Sequence, residues 1–278
     1  MDIQSAYLKA CLSELEALKP GNVHLFADGH GMQVQDFIDS AEVSAPALCE
    51  DLSLGVRPLG QRMVDALQAT YAKVACNTNL GIVLLAGPVV QAVLQYPQLS
   101  LRQGLVAVLD NTTVADAEAV YQGIRLVKPA GMGQQVDHDV SQQADITLLH
   151  AMQIASVYDK VAGQYTSHYA EIFDHALPLY QRCCTRWERP AWALTAVYLY
   201  WLAHWPDSHI ARKYGMAQAV TIQQQAKNHF QHFTDLQNPK LYMAPLLAWD
   251  AELKQAGINP GTSADLTVTT ALLANLLV

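Results

Sequence analysis

Apolar residues recur at spacings of three and four along most of the chain, the period of a helix with one buried face. Over residues 2–18 this sets Ile3, Tyr7, Ala10, Cys11 and Leu15 around a helix that Pro20-Gly21 ends. The same pattern predicts helices over 36–48, 59–75, 80–94, 114–126, 146–162, 165–177, 191–203, 209–233, 239–256 and 264–277. Period-two alternation is thin, and no Asn-Gly or Asp-Gly turn joins two alternating runs; Asp28-Gly29 marks a loop. The expectation is an all-α fold, a single-domain multi-helix bundle over 1–278, with room for a helical subdomain after about residue 140.

Composition narrows the class. The chain has 278 residues, 51% apolar and 15% charged, with a formal net charge of −8. Ordinary soluble domains carry about 25% charged residues. So apolar a chain offsets the entropy of ordering, which excludes disorder. With 17 Lys+Arg against 25 Asp+Glu, nucleic-acid binding by bulk electrostatics is not expected. The apolar runs 81–94 and 191–205 fall short of the ~20 residues that span a membrane. The first residues show no basic start followed by an apolar run, so a cytoplasmic, soluble protein is expected. The five cysteines have no zinc-site spacing and read as reduced, packed thiols.

Chemistry collects in the connections 19–35, 52–57, 128–144 and 257–263, which hold much of the Gly, Pro, His and Asp. Lys19-Pro20-Gly21-Asn22-Val23-His24, followed by Asp28 and His30, exceeds what helix termination requires. Asn77-Thr78-Asn79 precedes a helix start; one cap suffices, and three polar residues suit an anion at the helix N-terminus. Arg125 leads into Gly131, Gly133 and Asp137-His138-Asp139, which offers oxygen ligands to a hard cation or a carboxylate oriented by histidine. Asp207 reads as an N-cap ahead of His209, with Arg212 and Lys213 one turn in, where cations oppose the dipole and favour an anionic partner. Finally, Asn259-Pro260-Gly261-Thr262-Ser263-Ala264-Asp265 turns into a helix with capping-box spacing from Thr262 to Asp265, and phosphate or metal contact competes with that reading. Thr113 to Asp116 has the same spacing and reads as capping. Walker, Rossmann, nucleophile-elbow and HExxH motifs do not occur.

Taken in order, these segments resemble the triphosphoribosyl-dephospho-CoA synthase family. Lys19 to His24 with Gly29-His30 resembles its opening motif, and Asn77 to Gly81 its Asn-Thr-His-Lys-Gly motif. Asp207 to Gly215 is similar to its Asp-x-x-(n)-Arg-x-Gly segment, and Pro260 to Leu266 to its Pro-Gly-Gly-Ser-Ala-Asp-Leu motif. Two departures stand out: Asn79-Leu80 replaces His-Lys, and residues 129–139 replace an Arg-Gly-Glu-Ala-x-x-Gly-Phe-Pro segment. The resemblance implies an all-α enzyme that moves the triphosphoribosyl part of ATP onto dephospho-CoA, or a related acceptor, releasing adenine and using Mg²⁺. On this reading His30, Asp28, His138 and Asp139 are the candidate catalytic groups. Lys19, Asn77, Thr78, Asn79, Arg125, Asp207, His209, Arg212, Lys213, Gly261 and Ser263 are candidate substrate contacts. Asp137, Asp139 and Asp265 are candidate Mg²⁺ ligands, and the bends carrying all of these are expected to converge on one pocket. Small-molecule substrates are expected, with a homodimer as one assembly, and without nucleic acid or membrane. The competing readings are ribosyl-phosphate transfer in another pathway such as methanopterin synthesis, a Mg²⁺-dependent nucleotide hydrolase, and a non-catalytic helical module.

Overall fold

The structure is a computed structural model describing residues 1–50, 55–129 and 140–277. Among these residues there is no strand, only isolated bridges pairing His24 with Ala27 and Gly29 with Met32. The α-helices are α1 (Ile3–Glu16), α2 (Val34–Cys49), α3 (Leu59–Val74), α4 (Leu80–Gln95), α5 (Leu101–Asp110), α6 (Val114–Val127), α7 (Leu148–Ala155), α8 (Lys160–Thr166), α9 (Leu177–Trp187), α10 (Pro190–His204), α11 (Ser208–Tyr214), α12 (Met216–Asp235), α13 (Met243–Gln255) and α14 (Gly261–Leu276). A π-helical turn (Ile172–Ala176) leads into α9, and a 3₁₀ turn (Pro239–Tyr242) into α13.

The fold is all-α, as the periodicity predicts, but several expected helices break. The stretch 146–162 divides into α7 and α8, with Asp159 capping the second through Val161 N and Ala162 N. His168 and Tyr169, at φ +49° and +60°, interrupt 165–177. Gly215, at φ +88°, ends α11 inside the expected 209–233 helix. Each is a backbone event between helices that keep burying one face, so apolar spacing runs straight across it. Helix α5 went unpredicted, although its Ser100–Gln103 capping box is a written start signal. The Thr113–Asp116 box forms as expected.

The chain divides into two compact units, Met1–Leu8 with Phe37–Ala170, and Lys9–Asp36 with Glu171–Val278. In the first, α4 is buried from Ile82 to Ala92 and packs against α3, α5 and α8. Pro88 inside α4 has no N–H to give the carbonyl four residues earlier, that of Leu84. Tyr165 donates its hydroxyl to Leu84 O at 2.6 Å, and Tyr169 does the same for Leu85 O at 2.8 Å. Burial lifts both phenols above their ordinary range, keeping them protonated donors. Tyr165→Phe should therefore cost about 1–3 kcal/mol in urea unfolding, the penalty for a buried carbonyl left without a donor.

The second unit is built around α10, which is apolar on every side and packs on α9, α12 and α14. No helix of the described residues is long and apolar enough to cross a membrane. Cys11, Cys49 and Cys183 are buried free thiols, and Cys76 and Cys184 are half-buried ones. Burial pushes the Cys49 thiol up to about 12 and Cys183 to about 11, as expected of packing rather than reactive groups.

Candidate active site

After α1 the chain enters a turn fixed from several directions within the second unit. Lys19 is fully buried, and its ammonium donates to Glu14, to Asn22 Oδ1 at 3.1 Å and to Val23 O at 2.7 Å. Burial pushes Lys19 down and Glu14 up, and their mutual attraction opposes both shifts. All three donors of the ammonium are met within the protein, so Lys19 braces the turn. Gly21 follows at φ +84°; a Cβ there would lie 2.9 Å from Pro260 Cδ and 3.0 Å from Ile258 O, so glycine is required. Gly21 N–H donates to Asp250 Oδ1 at 2.8 Å, Asn22 Nδ2 to Asn259 Oδ1 at 2.8 Å, and Tyr198 Oη to Pro20 O at 2.6 Å.

Asp250 on α13 is the hub beneath this turn. Its Oδ2 accepts from Lys254 at 3.0 Å, and His24 Nε2 lies 3.3 Å from its Oδ1. That approach is poorly aligned, and His24 Nε2 has no other hydrogen-bond partner. His24 Nδ1 accepts from Phe26 N–H, which places the ring proton on Nε2, facing the carboxylate. Burial works to raise the Asp250 carboxyl, but the facing His24 imidazole and the Gly21 N–H hydrogen bond hold it below the ordinary value. Burial pushes His24 down, although Asp250 favours its charged form.

His30 sits half-buried at the far side of the turn, in a left-handed conformation at φ +59° that is uncommon outside glycine. Its Nε2 is 2.7 Å from Gly21 O; a carbonyl can only accept, so Nε2 carries the proton and Nδ1 presents a lone pair. Burial lowers the His30 pKa, and the charges of Lys213 and Lys254 add to that effect. His209 is also lowered, first by burial, with Arg212, Lys213 and His30 acting in the same direction and Asp207 against it. Its Nδ1 would stand 3.3 Å from a Cβ at Gly261, so the first, fourth and fifth sequence segments meet in this unit.

Asp207 answers the expectation of an anion at the Gly261–Ser263 turn. Its Oδ1 caps α11 through His209 N and Ile210 N, while Oδ2 accepts from Ser263 N and Oγ at 2.8 Å each. A carboxylate of the protein therefore fills the start of α14 where phosphate was anticipated. The expected Thr262–Asp265 box does not form: α14 starts at Gly261 without a side-chain cap, and Thr262 Oγ1 accepts instead from His209 N. Arg212 and Lys213 fall in the last turn of α11, because Gly215 ends the helix at once. There they favour the dipole, so their helix position no longer argues for an anionic partner. Asp28 accepts from Val34 N at 2.9 Å, a cap-like contact at the start of α2.

The remaining candidates belong to the first unit or fall outside the described residues. In the first unit, Asn77 Oδ1 accepts from Leu80 N, Thr78 Oγ1 pairs with Ser40, and Asn79 Nδ2 donates to Thr70, all intramolecular uses of their polar groups. Arg125, also there, binds Glu118 and the carbonyls of Val140 and Gln142. Asp137, His138 and Asp139 lie outside the described residues.

All 278 residues match one family model, CitG, the ATP:dephospho-CoA triphosphoribosyl transferases. The chain belongs to this family. It is similar to a 2-(5''-triphosphoribosyl)-3'-dephosphocoenzyme-A synthase of Vibrio cholerae serotype O1 (strain M66-2), at 27% identity over 93% of this chain and 82% of that protein. The same figures hold for the homologue in strain ATCC 39315. A crystal structure from Archaeoglobus fulgidus, described as a triphosphoribosyl-dephospho-CoA synthase, shares the fold with a TM-score of 0.65 and 20% identity. That likeness covers 85% of this chain and 97% of the other. Within this CitG-family chain, Glu14, Asp250 and Lys254 are the residues that sequence reasoning left out. Asp250 and Lys254 are spaced four apart on a helix, the ordinary signature of a solvated pair, and Asp250 reaches Gly21 across 229 positions of sequence.

Proposed function

We propose that this chain carries out its family's reaction, transferring the triphosphoribosyl group of ATP to dephospho-CoA, and that the second unit supplies the reacting side chains. The observation that carries this reading is the orientation of His30. Gly21 O accepts a hydrogen bond from its Nε2–H, leaving Nδ1 basic in a cluster with Lys213, Lys254 and His209. In the reaction the acceptor hydroxyl oxygen forms a bond to the ribose anomeric carbon as the bond from that carbon to adenine breaks. The hydroxyl proton passes to His30 Nδ1, and the electron pair of the broken bond leaves on adenine, which is protonated in turn, with His209 as the candidate donor. The triphosphate stays on the ribose throughout, and Arg212 and Lys213 are the proposed cations for it. Asp265, half-buried one turn into α14, is proposed to face the positive charge developing on the sugar.

Mg²⁺ belongs to the same reading. Among the described residues no three His, Cys, Asp or Glu side chains are grouped to hold an ion. A Mg²⁺ carried by the triphosphate needs only one or two protein carboxylates, and Asp265, Asp137 and Asp139 are the candidates. Its chemistry would be to neutralise phosphate charge. We place the enzyme in the cytoplasm, acting on small molecules. Incubation with ATP, Mg²⁺ and dephospho-CoA, followed by mass spectrometry, should show free adenine and dephospho-CoA enlarged by the triphosphoribosyl group. Formation of ADP or phosphate without adenine would instead mark a hydrolase and overturn the assignment.

A further inference from the structure

We propose that Lys254 binds the polyphosphate of the nucleotide substrate directly, with Asp250 and the Ala27 carbonyl fixing the position of its ammonium. This rests on the functional reading above and adds to it a binding residue that no sequence motif marked. The ammonium donates to Ala27 O and Asp250 Oδ2, each at 3.0 Å, which leaves one of its three donors for another acceptor. The side chain is only 13% exposed, so that donor is largely removed from water, where leaving it unmatched is costly. Its stem lies flat on the first loop: a Cβ at Gly29 would stand 3.0 Å from Lys254 Cε. The charge of Lys254 acts on Lys19, His24 and His30, and that of Lys213 also acts on His30. Two cations bearing on one neutral histidine repel each other, and an anion bound beside His30 relieves that repulsion. Asp250 opposes the two cations at His30 but is already engaged with Gly21, His24 and Lys254, and Glu14 is sequestered with Lys19.

The probe is inorganic tripolyphosphate, titrated calorimetrically into the full chain. Lys254→Gln should weaken its binding roughly 10- to 100-fold, the range for a charge-assisted hydrogen bond. The KM for ATP should rise by a similar factor while kcat changes little, a split that general loosening of the loop would not produce. Lys254→Arg should retain most of the affinity. Gly29→Ala, which displaces the stem while keeping the charge, should weaken binding several-fold, and it remains decisive if the glutamine variant fails to fold. Wild-type affinity in both Lys254→Gln and Gly29→Ala would overturn the proposal. If tripolyphosphate binds in a Lys254-dependent way but no triphosphoribosyl product forms, the transferase reading fails and this assignment stands.

Discussion

Lys19→Met should destabilise the protein by about 3–5 kcal/mol, because it removes the cation paired with the buried Glu14 carboxylate. Lys19 and Glu14 are both buried, and burial pushes both toward their neutral forms; only their pairing, with Asn22 Oδ1 and Val23 O completing the ammonium's shell, makes the charges tolerable. Glu14→Gln should cost a comparable amount for the mirror-image reason. The double variant Glu14→Gln/Lys19→Met should recover much of the loss, since no isolated charge remains. Denaturant midpoints of the four proteins give the coupling directly. The same set decides the part Lys19 plays. If it only braces the turn, the double variant should bind tripolyphosphate nearly as wild type does; a refolded double variant that has lost the anion would return Lys19 to the substrate contacts predicted from its motif.

The two roles of Lys19 look identical in a single sequence, which shows where sequence reasoning reaches its limit. The helical class was legible because burying one face of a helix imposes a period, and that period survives in α2, α3, α4 and α6 with nearly the expected bounds. The breaks at His168, Tyr169 and Gly215 were not legible, since an apolar residue serves equally well on either side of a backbone kink. At the candidate site the loops rich in His, Asp and Gly supply the side chains gathered around the Gly21 turn. Partner choice was hidden: that Asp207 fills the start of α14, or that Asp250 receives Gly21 N–H, depends on helices meeting across long separations. The apparent misplacement of Arg212 and Lys213 came from extending one helix through Gly215, and it vanished once α11 was seen to end there.

His30→Gln should lower kcat about 10²- to 10⁴-fold while tripolyphosphate affinity stays close to wild type. Glutamine is the informative replacement, because its amide can still donate to Gly21 O, as Nε2 does at 2.7 Å, and so keep the turn, yet it offers no basic nitrogen. The pH profile carries the second half of the test. Burial, joined by the charges of Lys213 and Lys254 and opposed by Asp250, sets His30 below the ordinary 6.5 of histidine. The neutral, proton-accepting form therefore prevails at pH 7, and kcat/KM should climb with pH through a midpoint below 6.5, then level off. In the glutamine variant that limb should disappear; if it persists, the titrating base is His209, whose pKa is depressed in the same direction. Stability follows the same sign. Between the folded and unfolded pKa values the unfolded chain binds more protons, so the contribution of neutral His30 is fully present above about 6.5 and is lost as pH falls through the folded value. Urea midpoints of wild type and His30→Gln should accordingly converge at neutral pH and separate in acid, with the wild type losing more.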